Sequence, residues 1–316
     1  MNLDSTAIPD GLRHLGNSIN KVVNTNEELS RPSCQTPEKT GYIYAPFVAT
    51  DLLEQSGAIN IIRHIKGKAT YPVIVKNDED MRLMKILKNQ KLTELKSQVD
   101  QFSDALQRMD GQSRYESGWT PDYLRKTLSS DLFDKSLDSL QKLSQELSVV
   151  SRLELISNEN KQLTNKLSLE RNKLYIIGHG NAGQDILAAD QRIEHGMITA
   201  KDLALDLIDG GLAQKFNDIR VTACYSADAI KPVSFDLATL EKASRPFNRN
   251  RYKLWGSETT KPFAHTLRDE LLAIGFSNVV VSGYHGAGVT FSKLENHSRR
   301  LLDQPDVRRS AVRRIF

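Results

Sequence analysis

Leu174-Tyr-Ile-Ile-Gly178, followed at once by His179-Gly180, and Ile219-Arg-Val-Thr-Ala223, followed at once by Cys224, are the two stretches on which the reading of this chain turns. Each is a short run rich in aliphatic and β-branched residues, and each reads as a buried strand. Between them Thr199, with Asp202 three positions on, has the form of a capped helix start. Leu203, Leu207 and Ile208 then fall on one helical face, and Gly210-Gly211 ends or loosens the helix. Strand, helix and strand at this spacing make a crossover unit, so the two strands should run parallel in one sheet. If they are neighbours, their axes lie about 4.8 Å apart. His179 and Cys224 then stand side by side at the carboxyl ends of the strands, the edge at which open α/β sheets bind ligands.

The same alternation extends outward in both directions. Tyr71–Lys76, Arg152–Ile156, Tyr252–Gly256 and Val279–Ser282 read as further strands, the last of them the final clear one. Pro262–Ile274 reads as a helix with proline at its start and Gly275 just past its end. Apolar residues recur at helical spacing from Asp80 to about Arg108, and again from Asp122 to about Leu147, with a Gly, Ser and Pro break at Gly111–Pro121. Tyr42–Ile65 looks partly helical, and the polar stretch Met1–Thr40 reads as mostly disordered. The whole predicts an α/β fold: a three-layer α/β/α sandwich on a mainly parallel sheet of about six strands. Its core runs from about Tyr71 to Arg300 within a domain spanning 41–316, with a helical insertion at about 80–150.

Composition removes several classes of function. The chain has 316 residues and two cysteines, Cys34 and Cys224, which excludes a disulfide framework and a multi-cysteine zinc site. No metal set is expected, and a reducing compartment suits the free thiol. No run of 18 apolar residues exists, so no segment is expected to span a membrane, and Met1–Leu29 lacks the apolar core of a signal peptide. A net charge of +4 is too weak to argue for nucleic acid, but the arginine-rich C-terminus suggests an anionic ligand or surface. Cys34, between Ser33 and Gln35 in the polar segment, reads as incidental.

A thiol beside an imidazole is a working nucleophile, because the histidine takes the thiol proton during attack. Gly180, with no side chain, lets its N–H approach a substrate carbonyl; together with the N–H of Cys224 it could form an oxyanion hole. Gly178-His-Gly-Asn-Ala-Gly183 also fits a dinucleotide-binding pattern. That motif needs a helix opening at the glycines and a second strand ending in an acid about 20 residues on, and the sequence reads as neither. No Walker loop, G-x-S-x-G or H-E-x-x-H occurs.

In that context Lys173–Arg300 resembles the autoprocessing cysteine peptidase domains of MARTX toxins and large clostridial toxins, relatives of caspases. The resemblance rests on Gly178-His179-Gly180, the Thr199-Ala-Lys-Asp-Leu helix start and Ala223-Cys224-Tyr-Ser226. It continues through Phe263-Ala-His-Thr-Leu-Arg-Asp-Glu-Leu271, Val279-Val-Val-Ser282 and the pair Arg299-Arg300 followed by Leu-Leu-Asp. It implies a caspase-like sandwich, a His179–Cys224 dyad without a third member, and a preference for leucine before the cut. It also implies allosteric activation by inositol hexakisphosphate, with Arg299 and Arg300 as ligands and Lys91 as a weaker match. Asp228–Lys261 is an extra segment whose Arg249, Arg251 and Lys253 could join that polyanion site. The polar N-terminus is similar to type III secretion signals, which implies delivery by a bacterial injection system into a host cytosol. There a host protein, or the chain itself, would be the substrate. The dyad could instead serve deamidation or transglutamination, or the chain could act as a non-catalytic host-binding effector.

Overall fold

The computed structural model describes residues 40–113, 130–161, 163, 167, 172–248, 259–289 and 298–316. The first half contains β1 (Thr40–Tyr44), α1 (Thr50–Ile65), β2 (Val73–Val75), α2 (Asp78–Ser113), α3 (Ser130–Arg152), β3 (Leu155–Ser157) and β4 (Asn172–Ile176). Then come β5 (Ile186–Ala188), β6 (Met197–Thr199), α4 (Ala200–Asp209), β7 (Ile219–Val221), α5 (Leu237–Ala243), β8 (Phe247–Asn248), β9 (Thr259–Thr260) and α6 (Phe263–Ala273). The chain closes with β10 (Val281–Tyr284), β11 (Ala287–Val289), β12 (Ser298–Arg300), β13 (Val307–Arg308), a 3-10 turn at Arg309–Val312, and β14 (Arg313–Ile315).

Seven strands form one sheet in the order β14-β10-β7-β4-β1-β2-β3. All its pairings are parallel except that of β14, which runs antiparallel along β10. Alternate side chains of a strand point to opposite faces, and the core divides accordingly. Tyr44, Leu174, Ile176, Ile219, Val221 and Val281 bury one face against Leu203 and Leu207 of α4 and Leu267 and Leu271 of α6. Ile43, Val73, Val75 and Tyr175 bury the other against Leu52, Leu53 and Ile59 of α1 and Met84 of α2. The result is a three-layer α/β sandwich. Each large apolar side chain so buried contributes on the order of 1.5–3 kcal/mol.

The helix ends follow from the sequence. The Thr199 side chain accepts the Asp202 N–H and caps α4, and Gly210 closes it. Pro262 opens α6, and Gly275 follows it at φ +97°. The stretch Tyr42–Ile65, expected to be partly helical, divides into a strand and a helix. β1 lies inside the sheet, paired with both β4 and β2, so the core begins at Thr40 rather than Tyr71. The expected final strand is β10, and among the described residues four short strands follow it. Tyr252–Gly256 lies outside the described residues, as does Cys34. Among the described residues no helix is long and apolar enough to cross a membrane.

Strand order reverses direction between β1 and β4. From β1 the chain adds β2 and β3 outward on one side; from β4 it adds β7 and β10 on the other. The helices change face at the same place. Such a switch point leaves a crevice outside the carboxyl ends of the two strands.

Candidate active site

The register of the central strands places the two reactive residues. Ile176 of β4 pairs with Val221 of β7. His179 and Cys224 each lie three positions beyond that pair, at the same edge of adjacent strands. The backbone of His179 is fixed by a two-bond bridge: its N–H donates to Ala188 O at 2.8 Å, and the Ala188 N–H returns to His179 O at 2.9 Å. A Cβ at Gly180 would lie 3.1 Å from both Ala223 Cβ and Cys224 O, a tight fit that any side chain there would have to relieve by a few tenths of an ångström. Among the described residues neither the Gly180 N–H nor the Cys224 N–H has a hydrogen-bond partner, and both stay available to an oxyanion.

His179 has a partner across the switch point. Asp51, in the first turn of α1, places Oδ2 2.9 Å from His179 Nε2. Gln55 lies one turn further along, on the same face of α1. Its Oε1 accepts the Gly178 N–H at 3.2 Å, and its Nε2 lies 3.3 Å from His179 Nε2. A carboxylate only accepts, so the shorter contact puts the proton on Nε2 and leaves the lone pair on Nδ1; the Gln55 amide nitrogen then makes no hydrogen bond to the ring. The expectation of a dyad without a third member did not include Asp51. Its signal was Asp51 and Gln55 four apart, opening a helix directly after a strand.

Cys224, half-buried, sits on a tight turn. Tyr225 follows at φ +54°, a conformation rare for a bulky residue and a place where strain is stored. The turn is held from beneath. Ser226 Oγ donates to Val221 O at 2.9 Å and accepts the Tyr284 N–H at 3.0 Å. A Cβ at Gly283 would meet Ser226 O at 2.7 Å, so that close approach requires glycine. Asp228, fully buried, meets His285 Nδ1 at 2.5 Å and accepts the Gly286 N–H at 3.0 Å. From above, the Gly288 N–H on β11 donates to Cys224 Sγ at 3.2 Å.

The expected basic ligands do not gather in one place. Arg299 turns inward and is fully buried; it donates to Thr222 O at 2.8 Å, Ala223 O at 3.1 Å and Gly286 O at 3.2 Å. Burial pulls its guanidinium down to about 10. Arg300 faces outward in a two-pronged pair with Asp306 at 2.7 and 2.8 Å. Alternation along β12 explains the split. Lys91, only 12% exposed, pairs with Glu54, Glu94 and Glu146, so its ion pairs join α1, α2 and α3. Arg249, Arg251 and Lys253 lie outside the described residues.

A cleft of about 310 Å³ opens beside the site. One wall is residues 181–184, directly after Gly180; the other is Ala229, Ile230 and Lys231, directly after the nucleophile turn, with Phe247 and Thr260 closing it.

Comparison with family models, characterised proteins and solved structures finds no match for this chain. The chemistry must therefore be argued from the site itself.

Proposed function

We propose that this chain is a cysteine endopeptidase with Cys224 as nucleophile, His179 as general base and then acid, and Asp51 orienting the imidazole. The observation that supports the reading is the Ile176–Val221 register, which brings His179 and Cys224 to the same edge of adjacent strands, with Asp51 Oδ2 2.9 Å from the His179 ring. His179 Nδ1 takes the thiol proton as Sγ attacks the scissile carbonyl carbon. The C=O electron pair moves to oxygen, which the Gly180 and Cys224 N–H groups receive. Collapse breaks the C–N bond, and His179 returns the proton to the leaving amine. A thioester remains at Cys224. Water then gives a proton to His179 and attacks the thioester, releasing the acid and restoring the thiol.

The resemblance supplies the rest of the reading. A polyanion of the inositol hexakisphosphate type would activate the enzyme, and the substrate would be a host protein reached through an injection system. Arg300, outward on β12, is the member of the arginine pair with access to such a ligand. Labelling by a leucine-based acyloxymethyl ketone, with and without inositol hexakisphosphate and with Cys224→Ala as control, tests it. Labelling at Cys224 only with the polyanion supports peptidase and activation together. Labelling without it keeps the peptidase and removes the activator. No labelling in either condition sinks the peptidase.

A further inference from the structure

We propose that the Arg299 guanidinium is the fixed counter-cation of the Cys224 sulfur, a positioning residue that favours the thiolate from inside the protein. The inference rests on the proposed role of Cys224 as nucleophile. Arg299 is fully buried, and among the described residues no carboxylate pairs with it. Its three hydrogen bonds all go to backbone carbonyls, and its buried Nε has no partner. A buried cation is normally paired with an anion, because carbonyl dipoles replace only part of its lost hydration.

Those carbonyls belong to Thr222 and Ala223, which lead into Cys224, and to Gly286, whose oxygen also accepts the Tyr225 N–H. The guanidinium is thus fastened to the backbone that carries the thiol. The position a Cβ would take on Gly288 lies 3.5 Å from Arg299 Nη1 and 3.9 Å from Cys224 Sγ, so cation and sulfur both border the same point beside β11.

The other charged and titratable groups here are accounted for. Asp228 also acts on Arg299 through its charge, but less than Cys224 does, and its two oxygens are bonded to His285 and the Gly286 N–H. Tyr284 offers its ring to Arg299 at 5.0 Å, and Arg309 lies 5.0 Å from the same ring, a second cation rather than a counter-charge. Burial raises the Tyr225 phenol, keeping it neutral. His179 is the acceptor of the thiol proton. Once that proton has moved, the sulfur is the anion that Arg299 lacks. The Gly288 N–H and the guanidinium then act together on it.

The test reads thiolate character rather than cleavage. Full-length protein is alkylated with iodoacetamide at pH 6 and pH 9, and peptide mass mapping separates Cys224 from Cys34. The ratio of the two rates cancels simple accessibility. Arg299→Met should lower the pH 6 to pH 9 ratio at Cys224 about tenfold, the change expected for one unit of thiol acidity. Arg299→Lys, which keeps the charge, should recover part of it. An unchanged ratio in folded Arg299→Met, or no recovery in folded Arg299→Lys, overturns the proposal. If neither variant folds, His179→Ala decides: with the imidazole gone, the ratio in the folded chain should still exceed that of the same chain in urea, and equality overturns the proposal. A shifted ratio in a chain that cuts nothing would remove the peptidase and keep the counter-cation. A peptidase with unshifted ratios would do the reverse.

Discussion

Two histidine–aspartate pairs flank Cys224 along one edge of the sheet, and they differ in nearly everything except residue type. His179 and Asp51 meet at 2.9 Å with side chains 20% and 39% exposed. His285 and Asp228 meet at 2.5 Å with side chains 5% and 0% exposed. The first pair joins the end of β4 to α1 across the switch point and leaves one ring nitrogen without a hydrogen-bond partner among the described residues. The second is a joint. Asp228 takes His285 with one oxygen and the Gly286 N–H with the other, while its own backbone bonds Tyr225 and Gly183. His285 also donates its N–H to Val312 O. A pair that must pass protons needs access and an uncommitted atom; a pair that must hold a turn in place is better with neither.

The sharpest way to break this contrast is to remove each half separately. Cys224→Ala should abolish cleavage, and His179→Ala should lower kcat/KM by about 10³-fold or more, the scale of losing a base that acts twice. His285→Asn should leave that chemistry in place at the level its stability allows. If a folded His285→Asn enzyme were dead and His179→Ala active, as read by peptide cleavage, the two pairs would exchange roles.

Stability separates the pairs in the opposite sense. Asp228→Ala strips two hydrogen bonds from a fully buried joint and leaves His285 and the Gly286 N–H unpaired. Loss of one partner from such a buried pair costs about 3–5 kcal/mol, to be read by urea unfolding followed by circular dichroism. Asp51→Asn removes a half-exposed carboxylate, so its unfolding midpoint should barely move. Its effect should fall on kcat, by roughly ten- to a hundredfold with KM little changed, because the imidazole loses its orienting acceptor. A change in KM alone would count against the orienting role.

How much of this was legible depended on the length of each signal. β4, α4 and β7 carry short strand-like runs and a capped helix start, and their order alone put His179 and Cys224 at one edge of neighbouring strands. β1 was hidden because Thr40-Gly-Tyr-Ile-Tyr44 is brief and runs into a helix whose periodicity dominates the window. With β1 unseen, nothing pointed to Asp51, which reaches His179 only because β1 pairs with β4. The strands after β10 are two or three residues long and rich in glycine and arginine, without apolar alternation. Reading Arg299-Arg300 as one basic pair failed for a related reason. In a strand, neighbours point to opposite faces, so one arginine went under the nucleophile and the other to solvent.

Lys91 offers the smallest expected effect and tests a different part of the contrast, a cation held by carboxylates rather than by carbonyls. Its ammonium sits among Glu54 at 2.7 Å, Glu94 at 3.7 Å and Glu146 at 3.8 Å. Burial raises the Glu146 carboxyl, Lys91 lowers it, and Glu54 and Glu94 raise it further. Lys91→Met removes the one opposing charge, so Glu146 should rise again and three carboxylates should repel one another where α1, α2 and α3 meet. A carboxyl raised in the folded state burdens stability above its folded-state titration and is relieved as pH falls through it. The loss, about 1 kcal/mol at neutral pH, should therefore shrink as the pH is lowered toward 4, as read by thermal unfolding across that range. The response to inositol hexakisphosphate should be the same in Lys91→Met as in the parent, because every ion pair of Lys91 lies within the helical layer. A weakened response with unchanged stability would return Lys91 to the polyanion site that the resemblance implies.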